Sequence, residues 1–66
     1  MDITLNGKPH VLPAPTSVEA LLKQLNLLEA RVAVAIDGAF VPRSTWAQNT
    51  IRPGASVEVV APMQGG

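Results

Sequence analysis

The sequence contains no cysteine, which excludes disulfides, thiolate metal sites and side-chain persulfides. Aromatic residues are almost absent as well, since Phe40 and Trp46 are the only two, and the core must therefore be aliphatic. Hydrophobic residues nevertheless make up 47% of the 66 residues, which is enough for one small packed core. A chain of this length has no room for a second core, so we expect one domain.

The sequence also lacks an excess of either charge, with five Lys and Arg against five Asp and Glu. A net charge of zero gives no electrostatic footprint for nucleic acid or an anionic membrane. No run reaches the roughly 18 apolar residues of a membrane span, and no cationic segment precedes an apolar one at the start. We therefore expect a cytoplasmic protein with no nucleic-acid or membrane partner.

The first segment predicts a β-hairpin. Ile3 and Leu5 alternate with polar residues, and Asn6-Gly7 follows them as a strong turn signal. A two-residue loop would place Ile3 opposite His10, whereas a three-residue loop would place it opposite Val11. We favour the three-residue loop, because it matches the apolar faces better.

A short helix is predicted next, at about residues 17–25. Thr16 and Glu19 have the spacing of a capping box, so the helix should start there. One apolar stripe at helical spacing follows, formed by Val18, Leu21, Leu22 and Leu25. Asn26 can adopt the left-handed conformation that ends a helix, with Leu27 folding back as the hydrophobic contact.

The second half predicts three further strands. Residues 32–36 form a strand buried on its Val/Ile side, and Asp37-Gly38 turns it into a short strand at residues 40–41. Residues 52–55 fit a type II turn, with proline second and glycine third. The last strand covers residues 56–61.

The order of elements is thus strand, strand, helix, strand, strand, loop, strand. One amphipathic helix and one sheet can bury each other's apolar faces in two layers. The β-grasp fold satisfies this order, so we predict an α+β protein with a mixed sheet of four to five strands and one helix across it. Residues 1–61 would form the domain and residues 62–66 a flexible tail.

The tail is the segment that can carry chemistry. It ends in Gly65-Gly66, just after a strand that Pro62 stops. Five residues beyond Ala61 extend at most about 17 Å, and glycines obstruct no narrow channel. A terminal carboxylate, ionised at neutral pH, can attack the α-phosphate of ATP to form an acyl-adenylate. Taken alone, a glycine pair at a chain end is a weak signal, because it is more often a frayed terminus.

The whole chain resembles the ThiS family of sulfur carriers. The opening at residues 3–7, the helix start at 16–22 and the turn at 34–38 carry the resemblance, as do the Val-Pro-Arg-x-x-Trp run at 41–46 and the terminal glycines. The resemblance implies that a ThiF-type enzyme uses ATP to adenylate Gly66, which then becomes a thiocarboxylate. A cysteine desulfurase or a similar donor would supply the sulfur, and thiazole synthase (ThiG) would receive it for thiamine biosynthesis.

The family resemblance also implies that the chain is a protein co-substrate and not an enzyme. It would have no cofactor of its own, no metal and no catalytic side chain. The sulfur can be held as a free thiocarboxylate or in a covalent intermediate with the partner, and both remain open. Two alternative functions are that of a sulfur carrier of the molybdopterin-synthase small-subunit type and that of a ubiquitin-like modifier that forms isopeptide bonds with lysines.

A second candidate site is the sheet face away from the helix. Ala33, Ala35 and Val60 alternate with core-facing residues, so they should share that face and form a partner-docking patch. The alternative is that they are small residues on an ordinary surface. Of the remaining residues, we expect His10 to be a strand residue, Trp46 to anchor the crossing loop, and Arg43 to be solvated.

Overall fold

The structure is a computed structural model, and it describes residues 1–60. Along the chain the elements are β1 (Asp2–Leu5), β2 (Lys8–Val11), β3 (Thr16–Ser17), α1 (Val18–Gln24), β4 (Ala33–Ile36), β5 (Ala39–Val41), a 3₁₀ turn (Arg43–Thr45), β6 (Thr50–Ile51) and β7 (Ser56–Val60). Five strands form one sheet in the order β2-β1-β7-β4-β5. Strands β1 and β7 are parallel and the other neighbours are antiparallel, so the predicted mixed sheet with one helix is confirmed.

The helix α1 begins one residue later than the capping box predicts. Ser17 is the N-cap, and its Oγ accepts a hydrogen bond of 3.1 Å from the Ala20 N–H. Thr16 cannot cap the helix because it is paired with Ile51 in the small sheet of β3 and β6, where it is buried. Its hydroxyl donates instead to the Ala14 carbonyl at 2.7 Å. A tertiary strand pair therefore overrides the local capping signal.

The helix ends as the sequence predicts. Asn26 has a φ of 61°, in the left-handed region. The Leu27 N–H donates to the Leu22 carbonyl at 2.8 Å, and the Asn26 N–H donates to the Lys23 carbonyl at 3.1 Å. These two bonds are those of a Schellman motif. The side chain of Leu27 packs against the core as expected.

The first hairpin has a two-residue loop, so the three-residue loop that we favoured is wrong. Ile3 pairs with His10, and Asn6 and Gly7 have φ values of 51° and 80°. Two successive left-handed residues form the type I′ turn, whose twist matches that of the flanking strands. The turn chemistry therefore decides the register, and it places Val11 on the sheet face away from the helix.

Leu12 makes the apolar contact that we assigned to Val11. It follows the strand directly and is fully buried, whereas Val11 is 70% exposed. Its backbone is held in place by Met1, whose carbonyl accepts a hydrogen bond of 2.8 Å from the Leu12 N–H. An apolar residue beyond the strand end thus fills the core without changing the register.

The core lies between the helix and the inner face of the sheet. It is aliphatic apart from one indole, and its fully buried large side chains are Leu12, Val18, Leu21, Leu22, Val34, Ile51 and Val57. Trp46 is 3% exposed, and its Nε1–H donates to the Val41 carbonyl at 3.1 Å. The prediction that Trp46 anchors the crossing loop is confirmed.

Candidate functional site

The site begins where the central strand ends. Strand β7 lies between β1 and β4, and Val60 is its last residue. On one side Val60 pairs with Ala33, so the ladder with β4 continues to the end of the strand. The sequence-predicted tail, including Gly65 and Gly66, lies outside the residues that the structure describes. The described residues fix the position of Val60, which is six residues before the end of the sequence.

Two turn residues fix β7 from opposite sides. Asn6 in the first hairpin accepts a hydrogen bond of 2.8 Å on Oδ1 from the Val59 N–H. Asp37 in the second hairpin accepts one of 2.9 Å on Oδ1 from the Ser56 N–H. Asn6 and Asp37 both have a φ of 51°, which turns the main chain away while the side chain stays beside the strand. The central strand is therefore held at its start and near its end.

The three predicted docking residues do share the outer face of the sheet. In the pairing of β4 with β7, Ala33 lies opposite Val60 and Ala35 lies opposite Glu58. Val60 is 58% exposed, Ala33 is exposed and Ala35 is half-buried. Glu58, which is exposed and lies opposite Ala35, adds one negative charge beside these residues.

Phe40 belongs to the same surface, and sequence analysis missed it. It pairs with Ala35 across β4 and β5, and 68% of its surface is exposed. The signal was present, because Val41 is apolar and faces the core, and adjacent strand residues face opposite sides. We call the surface of Ala33, Ala35, Phe40 and Val60 the outer apolar patch.

Arg43 is not the freely solvated residue that we expected. Its guanidinium lies over the Trp46 ring, 5.0 Å from the ring centre. Its Nη2 donates to the Leu28 carbonyl at 2.8 Å, which ties the 3₁₀ turn to the segment after the helix. The Arg43 side chain is therefore part of the scaffold beneath the crossing loop, even though it is exposed.

Within residues 1–60, no group of three His, Asp or Glu side chains is arranged to hold a metal ion. His10 lies on β2 opposite Ile3, as a strand residue. The single α-helix of this part of the chain has seven residues, and no helix here is long and apolar enough to cross a membrane.

The model of the ThiS family matches residues 3–66, nearly the whole sequence. The chain belongs to the ThiS family. The sulfur carrier protein ThiS of Escherichia coli (strain K12) is 33% identical over 66 residues, which is all of both chains. The family resemblance that the sequence motifs indicated is thus confirmed.

Solved structures of a ThiS protein have the same fold. The crystal structure of ThiS from Geobacter metallireducens matches with a TM-score of 0.86 and 32% identity, covering all of both chains. The solution structure of a thiamine biosynthesis protein from the same organism matches with a TM-score of 0.81, covering 88% of its chain. The β-grasp prediction is therefore confirmed by structural similarity as well as by topology.

Two longer relatives are thiazole synthases. Those of Paramagnetospirillum magneticum and Magnetococcus marinus are 36% and 38% identical to this ThiS-family chain over 66 residues. The chain spans only 20% of the length of each of them. Each of these two proteins is named a thiazole synthase, and each contains a ThiS-like segment within its longer polypeptide.

Proposed function

We propose that this chain is a sulfur carrier of thiamine biosynthesis, and that the carboxyl group of Gly66 is the atom group that carries the sulfur. The observation that supports this most directly is the family match, which extends through residue 66. The Escherichia coli relative that aligns over its full length is named a sulfur carrier protein. The sequence has no cysteine thiol that could hold the sulfur instead.

The chemistry needs two displacements at the Gly66 carboxyl. First, a carboxylate oxygen attacks the α-phosphorus of ATP, a phosphoanhydride bond breaks, and pyrophosphate leaves. Second, hydrosulfide or its equivalent attacks the acyl carbon, the bond from that carbon to the AMP oxygen breaks, and AMP leaves. The products of the second displacement are a thiocarboxylate, AMP and a proton. A ThiF-type enzyme would supply the ATP site, and a cysteine desulfurase or a similar donor would supply the sulfur.

The role of the folded domain is to present the terminal segment. Six residues separate Val60 from the end of the sequence, and they span at most about 21 Å. A rigid central strand at the base of that segment limits the orientations that the segment can take relative to the domain. Fewer orientations are then lost when a partner binds, which lowers the entropic cost of binding. We propose that the chain acts as a co-substrate and contributes no catalytic side chain.

The recipient of the sulfur is proposed to be a thiazole synthase. Support comes from the two relatives in which a ThiS-like segment and a thiazole synthase occur in one polypeptide. A carrier joined covalently to a synthase is present at a high effective concentration beside it. A separate carrier would need a docking surface to achieve the same proximity.

The outer apolar patch is proposed as a docking surface for the adenylating enzyme. Val60 joins it directly to the base of the terminal segment, and Glu58 offers a charge that a basic residue of the partner could pair with. Val60→Asn is expected to raise the KM of the adenylating enzyme for the carrier. Val11→Asn is the matched control, because Val11 is 70% exposed on the same face at the far edge of the sheet. Equal effects of the two substitutions would contradict the assignment.

The carrier function is tested by intact mass spectrometry. The chain is incubated with a ThiF-type enzyme, ATP and a sulfur donor, and it should gain the mass difference of one oxygen replaced by one sulfur. A variant lacking Gly66 is the control and should keep its mass. An unchanged mass, with the enzyme shown to be active on its own carrier, would contradict the proposal. Covalent attachment to lysines of other proteins would instead indicate a modifier.

A further inference from the structure

We propose that Asn6 is a positioning residue for the activation of the carrier: its side chain holds the end of the central strand from which the terminal segment leaves. This inference rests on the function proposed above. It comes from a detail of the parallel ladder between β1 and β7, where Thr4 is paired with Ser56 and Leu5 with Val57. At the last step of this ladder, a side-chain oxygen accepts the hydrogen bond in place of a main-chain carbonyl oxygen.

The backbone bonds of the ladder proceed regularly up to Asn6. The Thr4 N–H donates to the Ala55 carbonyl at 2.9 Å, and the Asn6 N–H donates to the Val57 carbonyl at 2.8 Å. In a regular parallel pair the next donor, the Val59 N–H, would bond to the main-chain carbonyl of Asn6. Because Asn6 has a φ of 51° and enters the hairpin turn, its side-chain Oδ1 takes that place, at 2.8 Å.

The position of this bond distinguishes it from the others. Val59 is one residue before the end of β7, and β1 has already ended at Leu5. On the side of β1, the Asn6 side chain is therefore the last acceptor that residues 1–60 provide for the strand. If it is removed, the hydrogen bonds that hold the end of β7 within residues 1–60 are those of its ladder with β4, where Val60 pairs with Ala33, while the Val59 side chain still packs against the core. Strand ends with a single neighbour open more readily.

The second hairpin supplies an internal comparison. Asp37 has the same φ of 51° and also accepts a strand N–H on Oδ1, but that N–H belongs to Ser56 at the start of β7. Both bonds are exposed and nearly equal in length, at 2.8 and 2.9 Å. A loss of either should lower the stability of the fold by a similar amount. Only the Asn6 bond lies next to the terminal segment.

Three substitutions test this inference, two to glycine and one to aspartate. Asn6→Gly and Asp37→Gly keep a residue suited to positive φ and remove the acceptor. Asn6→Asp restores an Oδ1 acceptor, and Asp37 itself shows that aspartate fits this turn position. Each full-length variant is assayed with the ThiF-type enzyme and ATP, well below its unfolding transition. The readouts are KM and kcat for the carrier, together with amide hydrogen exchange at Val59 and Val60.

In Asn6→Gly we expect faster exchange at Val59 and a KM raised up to about fivefold, the factor that one ordinary hydrogen bond supplies. The kcat should stay unchanged, because a docked carrier presents the same terminal segment. Asn6→Asp should restore KM, and Asp37→Gly should leave it unaltered despite a similar loss of stability. An unaltered KM in Asn6→Gly, or equal KM changes in the two glycine variants, overturns the inference alone. A natural chain that the enzyme fails to activate overturns the proposed function, and the inference with it.

Discussion

The register of the first hairpin makes a sharp prediction about two neighbouring apolar residues. In the two-residue register Leu12 is fully buried and Val11 is 70% exposed, although Val11 ends β2 and Leu12 directly follows it. Truncating a buried leucine to alanine costs about 2–5 kcal/mol, because apolar contacts are lost and a cavity remains. A domain of this size has a stability of roughly 3–10 kcal/mol. Leu12→Ala should therefore remove a large part of the stability of the fold.

The control substitution should have little effect. Val11→Ala changes an exposed position on an edge strand, and it should cost less than about 1 kcal/mol. For a domain of this length each kcal/mol lowers the melting temperature by about 4–8 °C. Leu12→Ala should thus melt at least about 8 °C below the natural chain, while Val11→Ala stays close to it.

Both variants can be followed by the fluorescence of Trp46, which is the only tryptophan and is 3% exposed. Thermal and urea unfolding should give the same ranking. The three-residue register would direct Val11 toward the core opposite Ile3, so it predicts a large loss for Val11→Ala. A loss in Val11→Ala equal to that in Leu12→Ala would therefore refute the pairing of Ile3 with His10.

Three further substitutions test the local chemistry of the fold. Ser17→Ala should cost about 1 kcal/mol in urea unfolding by removing the N-cap acceptor, and a neutral result would return the cap to Thr16. Asn26→Ala should cost about 1 kcal/mol because alanine resists a φ of 61°, while Asn26→Gly should be tolerated; equal stabilities would contradict the left-handed cap. Trp46→Phe should cost about 2–4 kcal/mol by circular dichroism, since the Val41 carbonyl loses its donor and a cavity forms.

The turns and the helix end were predictable because their signals are local. Asn6, Asn26 and Asp37 are residue types that tolerate positive φ, and each stands where the pattern of apolar residues stops. The glycine of the type II turn is equally local, with Gly54 at a φ of 82° and a bond of 3.1 Å from the Ala55 N–H to the Arg52 carbonyl. Such features depend on a few adjacent residues and need no knowledge of the tertiary fold.

The errors arose where distant segments meet. Strands β3 and β6 are two residues long, so neither shows a period, yet their pairing takes Thr16 from the helix cap. The hairpin register was misjudged because Leu12, beyond the strand, supplies the apolar contact. Arg43 binds the Leu28 carbonyl, 15 residues away in sequence. No local pattern encodes these contacts.

The candidate site likewise contains features that local sequence patterns predict and features that they do not. The alternation of strand residues was enough to place Ala33, Ala35 and Val60 on one face, and the same reasoning applied to Phe40 would have completed the patch. The role proposed for Gly66 depends on the family resemblance, since a terminal glycine pair has many explanations. The bond from Val59 to Asn6 was invisible in the sequence, because 53 positions separate the two residues.

The sheet order places β7, the strand that precedes the terminal segment, between two other strands. An edge strand with one neighbour can fray or bend, whereas β7 lies between two strands: β1 pairs with Ser56 and Val57, and β4 pairs with residues 57–60. Val57 illustrates the consequence, because it is paired with Leu5 on one side and Ile36 on the other and is fully buried. The strand that precedes the terminal segment is therefore the central strand of the sheet, and it contributes Val57 to the core. Any partner that binds the residues after Val60 would therefore act on a strand that is held by Asn6 on one side and by Ala33 on the other.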